Sequence, residues 1–245
     1  MERKGYILIL IFSYILTLSY GQNNMSIYQA YIRGDMAKWK NIVDSMQTIS
    51  EITNTDKLDL LNYQYGYIAY SIDKNKKKEA EWYLNAAEKL VQQLERKQYS
   101  LSVLYAYKSA FIGFKIGLSP YKAPFIGAGS LEYAEKSVDL DVTNSLGYIQ
   151  LGNIAFYTPA MFGGSRDDAL KHYLKALGLM EKDVSKLVSN WNYLNLLITI
   201  ISAYYELEQY KMAEQYCIKT LKIEPGFTWV KNELYPKVLK KLNDE

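Results

Sequence analysis

A chain of 245 residues, 49% hydrophobic and 22% charged, can bury a large core as one elongated domain or two small ones, and it carries no low-complexity tract that would point to disorder. A formal net charge of +3 gives no basic excess of the kind a nucleic-acid face needs. Cys217 is the single cysteine, so an intrachain disulfide is excluded and stability must come from packing.

Residues 1–21 read as a targeting segment. Arg3 and Lys4 precede an almost uncharged run from Tyr6 to Tyr20, and Ser19-Tyr20-Gly21 places small residues where a signal peptidase reads. Cleavage is expected before Gln22, leaving 22–245 as the folded domain. A retained anchor is the alternative, although the run is short of the roughly 20 apolar residues a spanning helix needs. No cysteine follows it for lipid attachment. The expected product is exported, periplasmic or extracellular, with no stable membrane insertion once the leader is gone. Losing Glu2, Arg3 and Lys4 moves the formal net charge from +3 only to +2.

Beyond the leader nearly every segment between turns has helical period, and none alternates convincingly as a strand. Asn23 to Arg33 is a short helix ending at Gly34-Asp35. Met36 to Ser50 follows, with Trp39, Val43 and Met46 on one face. Leu58 to Ile72 carries Tyr65-Gly66-x2-Ala69 and pairs across a lysine-rich turn, Asp73 to Lys78, with a helix bearing Ala80, Leu84 and Ala87 on one face. That basic turn lacks aromatic interleaving and reads as a solvated connection, not a nucleic-acid patch. The small-large-small triplet recurs as Ala169, Tyr173, Ala176, and in weaker form as Ser130, Ala134, Ser137 and Ala213, Cys217, Thr220. A small residue at each end lets two helices close while one side chain fills the gap between them. The recurrence is an internal repeat. Phe227 to Leu242 is a terminal helix with Trp229, Val230, Leu234 and Val238 on one side, expected to kink at Pro236 and to cap the array.

These features resemble the tetratricopeptide repeat, a 34-residue helix-turn-helix with W-x2-L-G-x2-Y in its first helix, A-x3-F-x2-A in its second and a closing proline. The nearest match is Tyr204, Ala213, Cys217 and Glu224-Pro225, followed by Tyr148, Leu151, Gly152 and Ala155 with Ala169, Tyr173 and Ala176. The pair around Gly66 and Ala80 carries a short insertion, and the pair ending at Ser137 contains an expected long loop, Leu118 to Gly129, with Pro120 and Pro124. The resemblance covers roughly residues 25–225. It implies an all-α, right-handed helical-hairpin solenoid of about five hairpins plus a C-terminal capping helix. Within residues 144–178, Phe162-Gly163-Gly164-Ser165 ahead of Ala169 is similar to a turn in exported tetratricopeptide-like proteins, including the T component associated with some TRAP-type transporters. That likeness implies a binding protein acting with a solute-binding partner or holding an apolar ligand.

No catalytic set is present. His172 is the only histidine, expected to face solvent beside the core position Tyr173, and one histidine with one distant cysteine makes no ordinary zinc site. There is no G-x-S-x-G, phosphate loop or H-E-x-x-H. Gly127-Ala128-Gly129-Ser130 reads as a flexible loop with a serine cap. The acidic pairs Asp139 and Asp141, and Asp167 and Asp168, lie at helix ends, where Ser165-x2-Asp168 reads as a capping box. Cys217 occupies a repeat core position and is expected to be buried and inert. No metal or cofactor is expected, and the chain is read as not an enzyme.

Binding surfaces remain. The first helices of successive units line the concave face of such an array. Here they are Leu58 to Ile72, Tyr99 to Ile116, Asn144 to Tyr157 and Ser189 to Leu207, displaying Tyr63, Tyr67, Tyr70, Tyr105, Tyr107, Asn153, Tyr157, Asn190, Asn192 and Tyr193. Tyrosine is abundant at 24 residues, which serves interhelix packing or a tyrosine-lined surface equally well. Folding alone does not account for Tyr157, Pro159, Met161 and Phe162 on the insert. The candidate surface is therefore Asn153, Tyr157, Pro159, Met161, Phe162, Asn192 and Tyr193. The function expected is a non-catalytic scaffold for a protein or peptide partner. The alternative is a carrier for an apolar small ligand or an aid to a solute transporter.

Overall fold

The computed structural model describes residues 23–244; the leader expected over 1–21 lies outside them. Eleven helices pack as successive hairpins, with no strand among the described residues. They are α1 (residues 23–33), α2 (Met36–Gln47), α3 (Asn54–Asp73), α4 (Lys77–Arg96), α5 (Leu101–Leu118), α6 (Ala123–Leu140), α7 (Ser145–Tyr157), α8 (Arg166–Met180), α9 (Trp191–Glu206), α10 (Tyr210–Ile223) and α11 (Tyr235–Asn243). Their starts follow from local chemistry. Thr53 and Asp56 form a capping box on α3, while Asn144, Ser165 and Asn190 each offer a side-chain oxygen to the first free N–H groups of α7, α8 and α9. At α8 the box is only half made. Ser165 accepts from the Asp168 N–H, but the Asp168 carboxylate turns to Lys171 at 2.8 Å.

The repeat triplets are where hairpins close. Ala80, Ala87, Ala134, Ala169, Ala176 and Ala213 are all wholly buried, and Leu84, Tyr173 and Cys217, the larger members of their triplets, are buried with them. The serine-rich version has its own reason. Ser102 and Ser137 exchange hydroxyl-to-carbonyl bonds at 2.8 Å, and Ser130 donates to the Ser109 carbonyl at 3.0 Å, so α5 and α6 are zipped by hydroxyls small enough to permit close approach.

Two expectations about prolines need correction. The supposed loop Leu118 to Gly129 is mostly helix: Pro120–Lys122 is a single 3-10 turn and Ala123 already begins α6. Pro124 is tolerated because it stands in the first turn, where its missing N–H would have no partner anyway. Near the C-terminus the disturbance precedes Pro236: Val230–Leu234 forms a π-turn in which the Tyr235 N–H reaches back to the Val230 carbonyl, and Pro236 then opens α11.

The first described helix meets the C-terminal segment. Tyr28 on α1 donates to Glu224 at 2.7 Å, Thr228 donates to the Ile32 carbonyl at 3.0 Å, and the Tyr31 ring packs on Phe227 and Trp191. Trp39 of α2 meets Trp191 of α9 edge to face at 4.9 Å. Helix α9 is consequently enclosed on several sides, with ten of its residues buried, and keeps open only a strip through Asn192, Asn195, Thr199 and Ser202.

Candidate functional site

The first helices of the hairpins bring polar and aromatic side chains to one place. Tyr173 of α8 donates to Asn153 at 2.9 Å, Asn153 donates to Gln150 at 3.1 Å, and Gln150 reaches the Tyr65 hydroxyl at 3.5 Å. On the other flank Tyr31 donates to Asn195 at 2.9 Å. Gln150 thus ties α7 to α3 and Tyr31 ties α1 to α9, while a side chain on Gly66 of α3 would begin 2.9 Å from Trp191 of α9, so α1, α3, α7 and α9 converge. Helix α5 supplies the floor: Phe114 stacks on Tyr65 at 5.4 Å, Tyr107 meets Tyr65 edge-on at 5.7 Å, and Phe111 backs both. Beside Phe114, Gly113 is exposed and has nothing within 4 Å of where a side chain would begin.

Burial pushes the phenols of Tyr31, Tyr65, Tyr107 and Tyr173 above the ordinary tyrosine range, so they stay protonated, and all but Tyr65 donate to a neighbouring asparagine. Tyr65 accepts one long bond and, among the described residues, donates none. Aromatic faces, a glycine gap and a few amide and hydroxyl groups make a surface suited to a flat apolar molecule carrying a polar edge. It offers no nucleophile with an adjacent base. Among the described residues no three histidine, cysteine or acidic side chains are grouped as a metal site would need.

The seven residues singled out in the sequence are distributed over four places. Asn153 is inside the cluster and Tyr157 stands at its rim, 77% exposed. Pro159, Met161 and Phe162 project on the α7–α8 insert, a 3-10 turn pinned by the Gly164 N–H to Pro159 and the Ser165 N–H to Ala155. Asn192 is half-buried on the open strip of α9. Tyr193 is buried and donates to Glu181 at 2.8 Å, away from the others. Tyr63 and Tyr67, also read as displayed, are interior: burial is nearly complete at both, and Tyr67 gives its hydroxyl to Glu79. His172 is half-buried instead of facing solvent, and desolvation lowers its pKa. Sequence reasoning missed Tyr31, Gln150 and Asn195, and took Tyr65 for a repeat position only. The available signal was that each lies on the first helix of a hairpin; what was lacking was that α1 folds back against α9.

No family model matches the chain, and no curated protein does. Among solved structures, the HusA haemophore from Porphyromonas gingivalis superposes with a TM-score of 0.58 at 16% sequence identity, over 74% of this chain and 92% of its own length. At that identity the likeness concerns the fold. The neighbour is by its name a haemophore, and what it has in common with this chain is the helical fold.

Proposed function

We propose that this chain is an exported, non-catalytic carrier of a flat apolar small molecule, built as a divergent, right-handed tetratricopeptide-like solenoid of five hairpins and a terminal cap. The observation that carries the reading is the floor of α5, where Phe114 stacks on Tyr65 beside the open space at Gly113. Stacking would hold the ligand's face, and the Tyr65 hydroxyl with the Asn195 amide would take its polar edge. The haemophore fold supports testing haem first. His172 lies on α8, the second helix of its hairpin, so retention here would rest on stacking and hydrogen bonds and not on a histidine from the inner face.

The test is titration of the purified protein with haem, followed by its absorbance spectrum, together with mass spectrometry of gently purified protein. Gly113→Leu is the decisive variant. Its side chain starts in open space, with nothing within 4 Å of the first carbon, and replacing a helical glycine should stabilise the fold by about 0.5–1 kcal/mol. Binding lost in a protein at least as stable as the parent supports the carrier. Unaltered binding, or a co-purifying protein on the inner face with no small molecule, returns the function to the scaffold reading.

A further inference from the structure

Helices α3, α5 and α7 lie side by side and parallel, so the turns that follow them share one edge of the molecule. Ile72 at the end of α3 comes within 3.6 Å of where a side chain on Gly117 of α5 would start, and Tyr157 at the end of α7 is within electrostatic reach of Asp73. Along this edge the surface changes character. Seven large apolar side chains among the described residues are at least 70% exposed, and five of them stand here: Tyr121, Phe125, Tyr157, Met161 and Phe162. The other two, Val184 and Val188, are on the α8–α9 connection at the opposite edge. Their neighbours on the near edge are cationic. Lys77, Lys78 and Lys122 are exposed, with no carboxylate within salt-bridge distance among the described residues, and Arg166 follows the insert with its guanidinium over the Phe156 ring at 4.0 Å. Carboxylates are present too: Asp73 is paired with Lys74, Glu79 faces Lys76 and Asp168 is paired with Lys171, while Asp167 is exposed with no ion pair among the described residues and offsets one of these four cations.

We infer that this edge docks on an anionic lipid surface, with Phe125 and the Met161-Phe162 tip entering the interfacial layer and the lysines resting on headgroups. Two separated tips, each held out by a short rigid turn and flanked by free cations, fit a fluid surface that needs no shape match; a protein partner would call for a continuous central patch. The charge is complementary to acidic phospholipids, and each cation at such a surface strengthens binding by about fivefold. No helix among the described residues is long and apolar enough to cross a membrane, so the attachment is peripheral and reversible. The inference is independent of which ligand the inner face holds.

Cys217 is fully buried, so a single introduced cysteine can be labelled selectively. Met161→Cys carrying an environment-sensitive fluorophore is mixed with vesicles of phosphatidylcholine with or without phosphatidylglycerol, in parallel with Val188→Cys as the far-edge control. The expected result is a blue shift and quenching by a lipid-borne quencher at position 161 only, on the anionic vesicles only. Adding Lys77→Gln, Lys78→Gln and Lys122→Gln should weaken the apparent affinity more than tenfold, and Phe125→Ser about tenfold, with helical circular dichroism unchanged because these side chains are exposed. No spectral change at 161, equal change at 188, or protection of the label by a co-purified protein and not by lipid would overturn the proposal.

Discussion

Four tyrosines in this protein end a buried ring with a hydroxyl at the boundary, where a carboxylate collects it: Tyr83 on Asp44, Tyr67 on Glu79, Tyr193 on Glu181, Tyr28 on Glu224. This is why a tyrosine-rich first helix looked displayed in the sequence while Tyr63, Tyr67 and Tyr193 are interior. Composition does not reveal which hydroxyls find a carboxylate one helix away. Asp59 is an acid without that arrangement. Burial first, and then the Asp56 carboxylate, push it from 3.8 up to about 6. An acid whose folded pKa is raised costs stability when ionised: the penalty is complete above about pH 6, shrinks as pH falls through that value, and is gone below the ordinary carboxylate range. Its site is partly open, so screening reduces the cost to the order of 1 kcal/mol. Asp59→Asn should therefore raise the urea midpoint at neutral pH and leave it unchanged in acid; an equal gain in both would assign the effect to packing.

At the scale of elements, the pairing of α7 with α8 turns on Gly152. A side chain there would begin 2.4 Å from Tyr173 Cε1, against a ring that is itself fully buried and tied to Asn153. Even Gly152→Ala must displace the ring, and Gly152→Leu overpacks the contact at a cost of about 1–3 kcal/mol, lowering the melting temperature by roughly 2–4 °C for each kcal/mol. An unchanged melting curve for both variants would refute the close-packing assignment. The glycine and the small-residue triplets were legible in the sequence because close approach tolerates few side chains. The span after Leu118 was not, because proline at a helix start and proline in a loop look alike until the first turn is seen.

For the whole molecule, the contact between α1 and the C-terminal segment changes what unfolding should look like. An open array of repeats frays from its ends, since each unit touches only its neighbours. Here Phe227, 2% exposed and packed on Tyr31 of α1, opens the segment that leads through the π-turn into α11 and so ties that segment to α1. Phe227→Ala should cost about 3–5 kcal/mol and raise amide exchange in α1 and α11 together. Loss of protection in α11 alone would mean the ends are independent. Sequence periodicity was sufficient for the hairpins, since those contacts are local. It carried no information on closure, which depends on Tyr28, Tyr31 and Thr228 meeting residues nearly a chain length away.

That closure also sets an order in time. Tyr28 and its partner Glu224 are separated by 196 positions, as are Ile32 and Thr228. During synthesis at roughly 5–20 residues per second, α1 would wait on the order of ten to forty seconds before its partners exist. Throughout that interval the bonds from Tyr28 to Glu224 and from Thr228 to Ile32 are absent, so closure of α1 onto the C-terminal segment is among the last contacts of the described residues to become possible.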